Sequence, residues 1–265
     1  MSKWFLLLLI LVFSQCKNAT NNNDKDVKAN AVKELVNQLA EQVAKKPDSA
    51  GLRFKYISAL DSIGDFKKAL SQIDSLIVYD KGNYGLWYKK ALICEHAGDT
   101  AAAITYYTTA VTIYPAPTAL LALANLYAET KNVKALNTCQ QIDEMHLGQE
   151  YDAYTAFFAG VFFSRIGNKE KALLFLDKSI ANNYTFMDAY LEKGYVYYDL
   201  KKFTNALDVF KTAAEVSNRF ADAYYWQGKC LEALNKKSEA KLKYQQALAL
   251  NKNLNEADAA LKRLQ

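Results

Sequence analysis

Proline and glycine are scarce, 3 and 10 in a chain of 265 residues. A turn-rich β-sandwich or barrel uses both at its many reversals, so this scarcity excludes that class and favours helices. Histidine is scarcer still. His96 and His146 stand in different stretches, without a second ligand at metal spacing, and read as solvated surface residues. No glycine-rich phosphate loop, nucleophile elbow or HExxH run occurs. Acids such as Asp188, Glu192 and Asp222 are scattered, and no two are marked as a general acid and base. The expectation is a chain that is not an enzyme and that holds no cofactor or metal. Charge of one sign is lacking too, since a net +5 is too mild to require nucleic acid. What remains is 51% hydrophobic and 13% aromatic, enough for a large folded core.

Long apolar runs are nearly absent, with one exception. Trp4 to Phe13 follows Lys3 and leads into Ser14, Gln15 and Cys16. A basic start, an apolar stretch and a short polar end are the layout of a secretory signal. As a helix this stretch is about 15 Å long, half of a hydrocarbon core and too short for a permanent span. Cysteine directly after it resembles a bacterial lipoprotein signal, in which that residue becomes the lipidated N-terminus. Phe13, Ser14 and Gln15 match the usual preceding box only loosely, and with Lys17-Asn18 they look like the relaxed boxes of the Bacteroidetes group. The resemblance implies a signal over residues 1–15, lipidation at Cys16 and, with Lys at position 17, placement in the outer membrane. A plain signal cleaved nearby, or an uncleaved anchor, is the competing reading. Several acyl chains on one cysteine hold firmly, where one alone is marginal. Residues 16–29 are polar and lack a period, and read as a flexible tether.

Over residues 30–265, small residues fall on a ruler. Ala91, Ala124, Gly160, Gly194 and Gly228 succeed one another at 33, 36, 34 and 34 residues. Such a period inside helical patterns marks stacked helix hairpins. The small residue is expected where the second helix crosses the first almost backbone to backbone. With it as position eight, other positions recur. The unit from Tyr84 carries Trp87, Cys94, the turn Gly98-Asp99, Ala103, Tyr107, Ala110 and Pro115. Those from Met187 and Ala221 carry Tyr190, Tyr197, Ala206, Phe210 and Ala213, then Tyr224, Leu231, Ala240, Tyr244 and Ala247. From Ala153 come Phe163, Gly167-Asn168, Ala172 and Leu176, with Ser179 where alanine is usual. The unit around Leu120 loses one residue in its turn, so Ala135, Cys139 and Ile142 arrive early. Ile63-Gly64-Asp65-Phe66, with Ala69 and Ile73, marks a further unit whose position eight is Ile57. Ala31 to Lys46 reads as the second helix of a partial leading repeat, and Ala257 to Leu264 as a closing helix.

This pattern resembles the tetratricopeptide repeat over about nine-tenths of the chain. The resemblance implies an all-α superhelical solenoid of about six helix-hairpin repeats with partial terminal caps. First helices then line a concave groove, into which positions two, five, six, nine and twelve point. Here those positions hold Phe54, Tyr88, Lys89, Asn125, Tyr154, Phe157, Phe158, Tyr195, Tyr198, Tyr225 and Trp226. Dense aromatic residues of this kind mark a binding surface or pack beneath neighbouring repeats. The carboxylate clamp of co-chaperone relatives is absent, because Phe54 and Ser58 stand where Lys and Asn are needed. Cys94, Cys139 and Cys230 read as buried thiols, with a Cys94–Cys139 disulfide left open. From Lys229 onward eight basic residues face four acids, giving either a solvated end or a patch for an acidic partner or membrane surface.

The functional expectation is a lipid-anchored adaptor of the bacterial envelope that binds a protein or extended peptide in its groove, with no role for nucleic acid. The alternative is a glycan- or small-ligand-binding outer-membrane lipoprotein, using Tyr195, Tyr198, Tyr225 and Trp226 as stacking platforms. Glycan-capture lipoproteins with such repeats carry large insertions, and this chain has almost none.

Overall fold

The computed structural model describes the backbone of residues 22–264 and the side chains of residues 30–264. The signal, Cys16 and the start of the tether lie outside the described residues. All described regular structure is helical: α1 (Asn22–Lys45), α2 (Ala50–Ser62), α3 (Phe66–Tyr79), α4 (Tyr84–His96), α5 (Thr100–Ile113), α6 (Pro117–Glu129) and α7 (Lys134–Asp143). There follow α8 (Gln149–Arg165), α9 (Lys169–Asn182), α10 (Met187–Asp199), α11 (Phe203–Val216), α12 (Ala221–Ala233), α13 (Lys237–Leu250) and α14 (Asn255–Leu264). No helix among the described residues is long and apolar enough to cross a membrane. The chain separates into two units, Met1–Tyr79 and Asp80–Gln265.

In the first unit, α1 buries Val36, Leu39 and Val43, spaced to share one helical face. Its described part covers residues 22–29, expected to be tether, in helical form. The Ser49 side chain caps α2 by accepting the Leu52 N–H at 3.4 Å. Gly64, at φ +79°, reverses the chain into α3. Ile57 and Ile73 are fully buried in this hairpin.

The second unit stacks five hairpins, α4/α5, α6/α7, α8/α9, α10/α11 and α12/α13, closed by α14. Each helix packs on its hairpin partner, and α5, α7, α9, α11 and α13 pack on the helix that follows. Asn83, Asp99 and Asn168 cap α4, α5 and α9 with their side chains. Two hairpin turns place glycine in the left-handed region, Gly98 and Gly167; the other three place Lys131, Lys201 and Asn235 there. In the α6/α7 hairpin the missing turn residue leaves α7 only 10 residues long.

The ruler residues are all buried at the hairpin crossings. Ala91 and Ala124 are fully buried. A Cβ on Gly160 would sit 2.8 Å from Leu176 Cγ; one on Gly194, 2.2 Å from Phe210 Cζ; one on Gly228, 2.6 Å from Tyr244 Cε1. This corrects the expected cause. At Gly194 and Gly228 it is chiefly an aromatic ring from the second helix, rather than its backbone, that fills the space a methyl group would need. In the exceptional unit, Ile57 takes the small position of α2, and the α3 position that holds Phe210 or Tyr244 in later hairpins holds the aliphatic Ile73.

Buried polar groups are matched to the packing. Ser179, in place of the usual alanine, donates its hydroxyl to the Ala153 carbonyl at 2.8 Å. Gln227, 1% exposed, donates its amide to the Phe210 carbonyl at 3.0 Å. Tyr107 and Tyr244, equivalent residues of two hairpins, donate to the equivalent carboxylates Glu95 and Glu232 at 2.8 and 2.9 Å. Cys94, Cys139 and Cys230 are buried as thiols. Burial pushes the Cys139 and Cys230 thiols up to about 12, so neither ionises near neutrality.

Candidate partner-binding face

The first helices of the second unit bring the expected residues together in three groups rather than one. On α4, Tyr88 is half-buried between Tyr84 and Tyr107, with ring centroids 5.7 and 5.6 Å away. Burial raises its phenol, and Tyr84 and Glu95 add to this against a hydrogen bond from Thr118. Lys89 lies half-buried beside it. Asn125 stands half-buried on α6.

The second group lies on α8. Tyr154 and Phe157 remain partly exposed, and each places its ring 5.0 Å from Phe186. Phe158 does not line the face as expected. It is 4% exposed, beneath Tyr154 and Phe157; Glu192, at the same repeat position on α10, is buried too. Phe186, one residue before α10, is the member that sequence reasoning missed. A signal existed: Phe220 precedes α12 at the equivalent position.

The third group is centred on Trp226. Tyr195 approaches it at 4.5 Å, Tyr198 at 5.5 Å and Tyr225 at 5.6 Å, the last two edge-on. Phe210 stacks on it at 5.8 Å and 24°. The indole N–H bonds the Tyr195 hydroxyl. These four rings are half-buried; they rest on the core formed by Leu191, Phe210, Leu231 and Tyr244 while keeping part of their surface in solvent.

Charged groups frame the rings. Arg165 on α8 makes a forked contact with Glu192 of α10 at 2.8 and 3.1 Å, and another with Glu129 of α6 at 2.8 and 3.0 Å. Lys169 holds Asp199 at 3.0 Å, and Arg263 of α14 holds Glu232 at 2.7 Å. Burial works to raise the Glu232 carboxyl, but the bonds from Tyr244 and Arg263 outweigh it and hold it below the usual value. Asp188 and Asp222 go the other way. Burial raises both, Glu192 and Asp222 push Asp188 further, and Glu256 pushes Asp222 further. Among the described residues, no group of three His, Cys, Asp or Glu side chains is placed to hold a metal ion.

A sequence profile of the tetratricopeptide repeat matches residues 54–116 and 191–255. These segments are tetratricopeptide repeats. Solved structures extend the likeness to the rest of the fold. A tetratricopeptide repeat protein from Parabacteroides merdae is 18% identical with a TM-score of 0.70, over 91% of this chain and 95% of that one. PilW, a type IV pilus biogenesis factor, is 16% identical with a TM-score of 0.64, over 81% and 99%. The C-terminal part of a repeat protein from Cytophaga hutchinsonii is 16% identical with a TM-score of 0.55, over 80% and 93%. At these identities the shared property is the tetratricopeptide solenoid fold. No curated protein matches the sequence.

Proposed function

We propose that this tetratricopeptide protein is a non-enzymatic adaptor that seats a partner protein or extended peptide on its first-helix face. The observation that carries this reading is the Trp226 cluster, four rings on two neighbouring repeats that rest on the core yet stay partly open to solvent. Trp and Tyr in such settings dominate interface energetics, because large rigid surfaces are desolvated at little entropic cost. The protein works at a membrane, held by lipid on Cys16 in the outer membrane of the bacterial envelope. Glycan capture has less support here, since Phe210 stacks on one face of Trp226 and Tyr198 and Tyr225 meet it edge-on, which leaves less of the indole for a sugar to stack on.

In-cell crosslinking followed by mass spectrometry tests the face, comparing wild type with Tyr198→Ala/Trp226→Ala. A partner captured by the wild type alone supports the assignment, and equal capture by both removes it. Alkyne-palmitate labelling tests the anchor; the label is expected on the wild type and absent from Cys16→Ser.

A further inference from the structure

Two sets of acidic groups stand out on the first helices of the second unit. Glu129, Glu192, Glu232 and Asp199 are each held by Arg or Lys. Asp188, Asp222 and Glu256 occupy the second positions of α10, α12 and α14, and among the described residues none has a hydrogen-bond or ionic partner. They alternate with the rings of the face. Asp188 acts on Tyr154, Asp222 acts most strongly on Tyr195, and Glu256 acts on Tyr225.

A first-turn carboxylate gains something from the helix dipole. That gain does not account for these, because α4 and α6 have no acid in their first turns and form equally well. Nor is it sufficient: burial and mutual repulsion leave the Asp188 and Asp222 carboxyls raised, with no cation among the groups acting on them. Among the described residues, then, this row has no lysine or arginine acting on Asp188 or Asp222. Its sign, its regular step and its aromatic neighbours are complementary to a row of cations with apolar stems.

We infer that α10, α12 and α14 seat a basic peptide segment in extended form, its Lys or Arg heads at Asp188, Asp222 and Glu256 and its side-chain stems against Tyr195, Tyr225 and Trp226. This rests on the first-helix face being the partner site and names the chemistry of the partner. Neighbouring helices stand about 10 Å apart, roughly three residues of a polyproline-II chain, which turns once every three residues, so basic residues at every third position face the same side. Cations over tyrosine and tryptophan rings add to the charge pairing.

The test uses the full chain and the fluorescent peptide Ala-Lys-Ala-Ala-Lys-Ala-Ala-Lys-Ala, with Gln and Glu counterparts, by anisotropy. The Lys peptide is expected to bind at least about tenfold tighter than the Gln peptide, and more weakly as salt rises. Asp188→Asn/Asp222→Asn should reduce it to the level of the Gln peptide while melting no lower than wild type. Trp226→Ala should weaken all binding. Equal binding of Lys and Gln peptides, a preference for Glu, or a preference unchanged in the Asn variant overturns the basic-segment inference. If Trp226→Ala still removes binding in those cases, the face itself stands. Binding insensitive to Trp226→Ala overturns both, and failure of the Lys peptide to bind wild type overturns the inference while the crosslinking comparison still decides the face.

Discussion

At Gly194 a single hydrogen leaves the room that Phe210 occupies. An added methyl would lie 2.2 Å from the ring, so Gly194→Ala must displace Phe210 and with it the stacked Trp226. The expected cost is about 1–3 kcal/mol in urea denaturation, smaller when Phe210→Leu is present, since residues in contact do not act additively. The two kinds of carboxylate on the face predict opposite responses to pH. Asp188 is raised in the fold, so its ionisation opposes folding, and stability is lost as pH rises above its unfolded value. Glu232 is lowered, so its contribution is present above the unfolded value and is lost as pH falls. Asp188→Asn should therefore raise Tm at neutral pH, with the gain shrinking in acid. Glu232→Gln should lower Tm at neutral pH, with the loss shrinking in acid. Thermal melts across that range check both signs.

Between elements, Arg165 fastens α8 to both α6 and α10. Removing it leaves Glu192, with a side chain only 11% exposed, without its cation. Because Arg165 itself is 26% exposed, Arg165→Met should cost less than a fully buried pair would, about 2–3 kcal/mol. Glu129→Gln, at a side chain 42% exposed, should cost under about 1 kcal/mol. Chemical denaturation of both variants measures the difference. The hairpins were legible from sequence because period, turn residues and small positions repeat locally, and Gly160, Gly194 and Gly228 lie where the register put them. Arg165 was not, since its partners are 36 and 27 residues away and nothing periodic marks them. Phe158 shows the limit within the site: a repeat position gives a direction, but how much of a ring stays open depends on its neighbours, and Tyr154 and Phe157 cover this one. The acids at Asp188 and Asp222 were visible as residues, yet their lack of partners appears only when every neighbour is placed.

For the molecule as a whole, stability in stacked repeats is close to a sum of neighbour terms. Ending the chain before α14 would uncover the core beneath Ala257 and Ala260, both buried against the last hairpin. Amide exchange should then accelerate in α12 and α13 and stay unchanged in α4 and α5; uniform acceleration would show a cooperative unit instead. The indole of Trp226 lies flat on Phe210, and Phe210 lies on bare backbone at Gly194 without slack. Whatever grips that indole from outside therefore also pins the α10/α11 hairpin from inside. Docking would announce itself as slowed fluctuation in α11, a segment the visitor never touches.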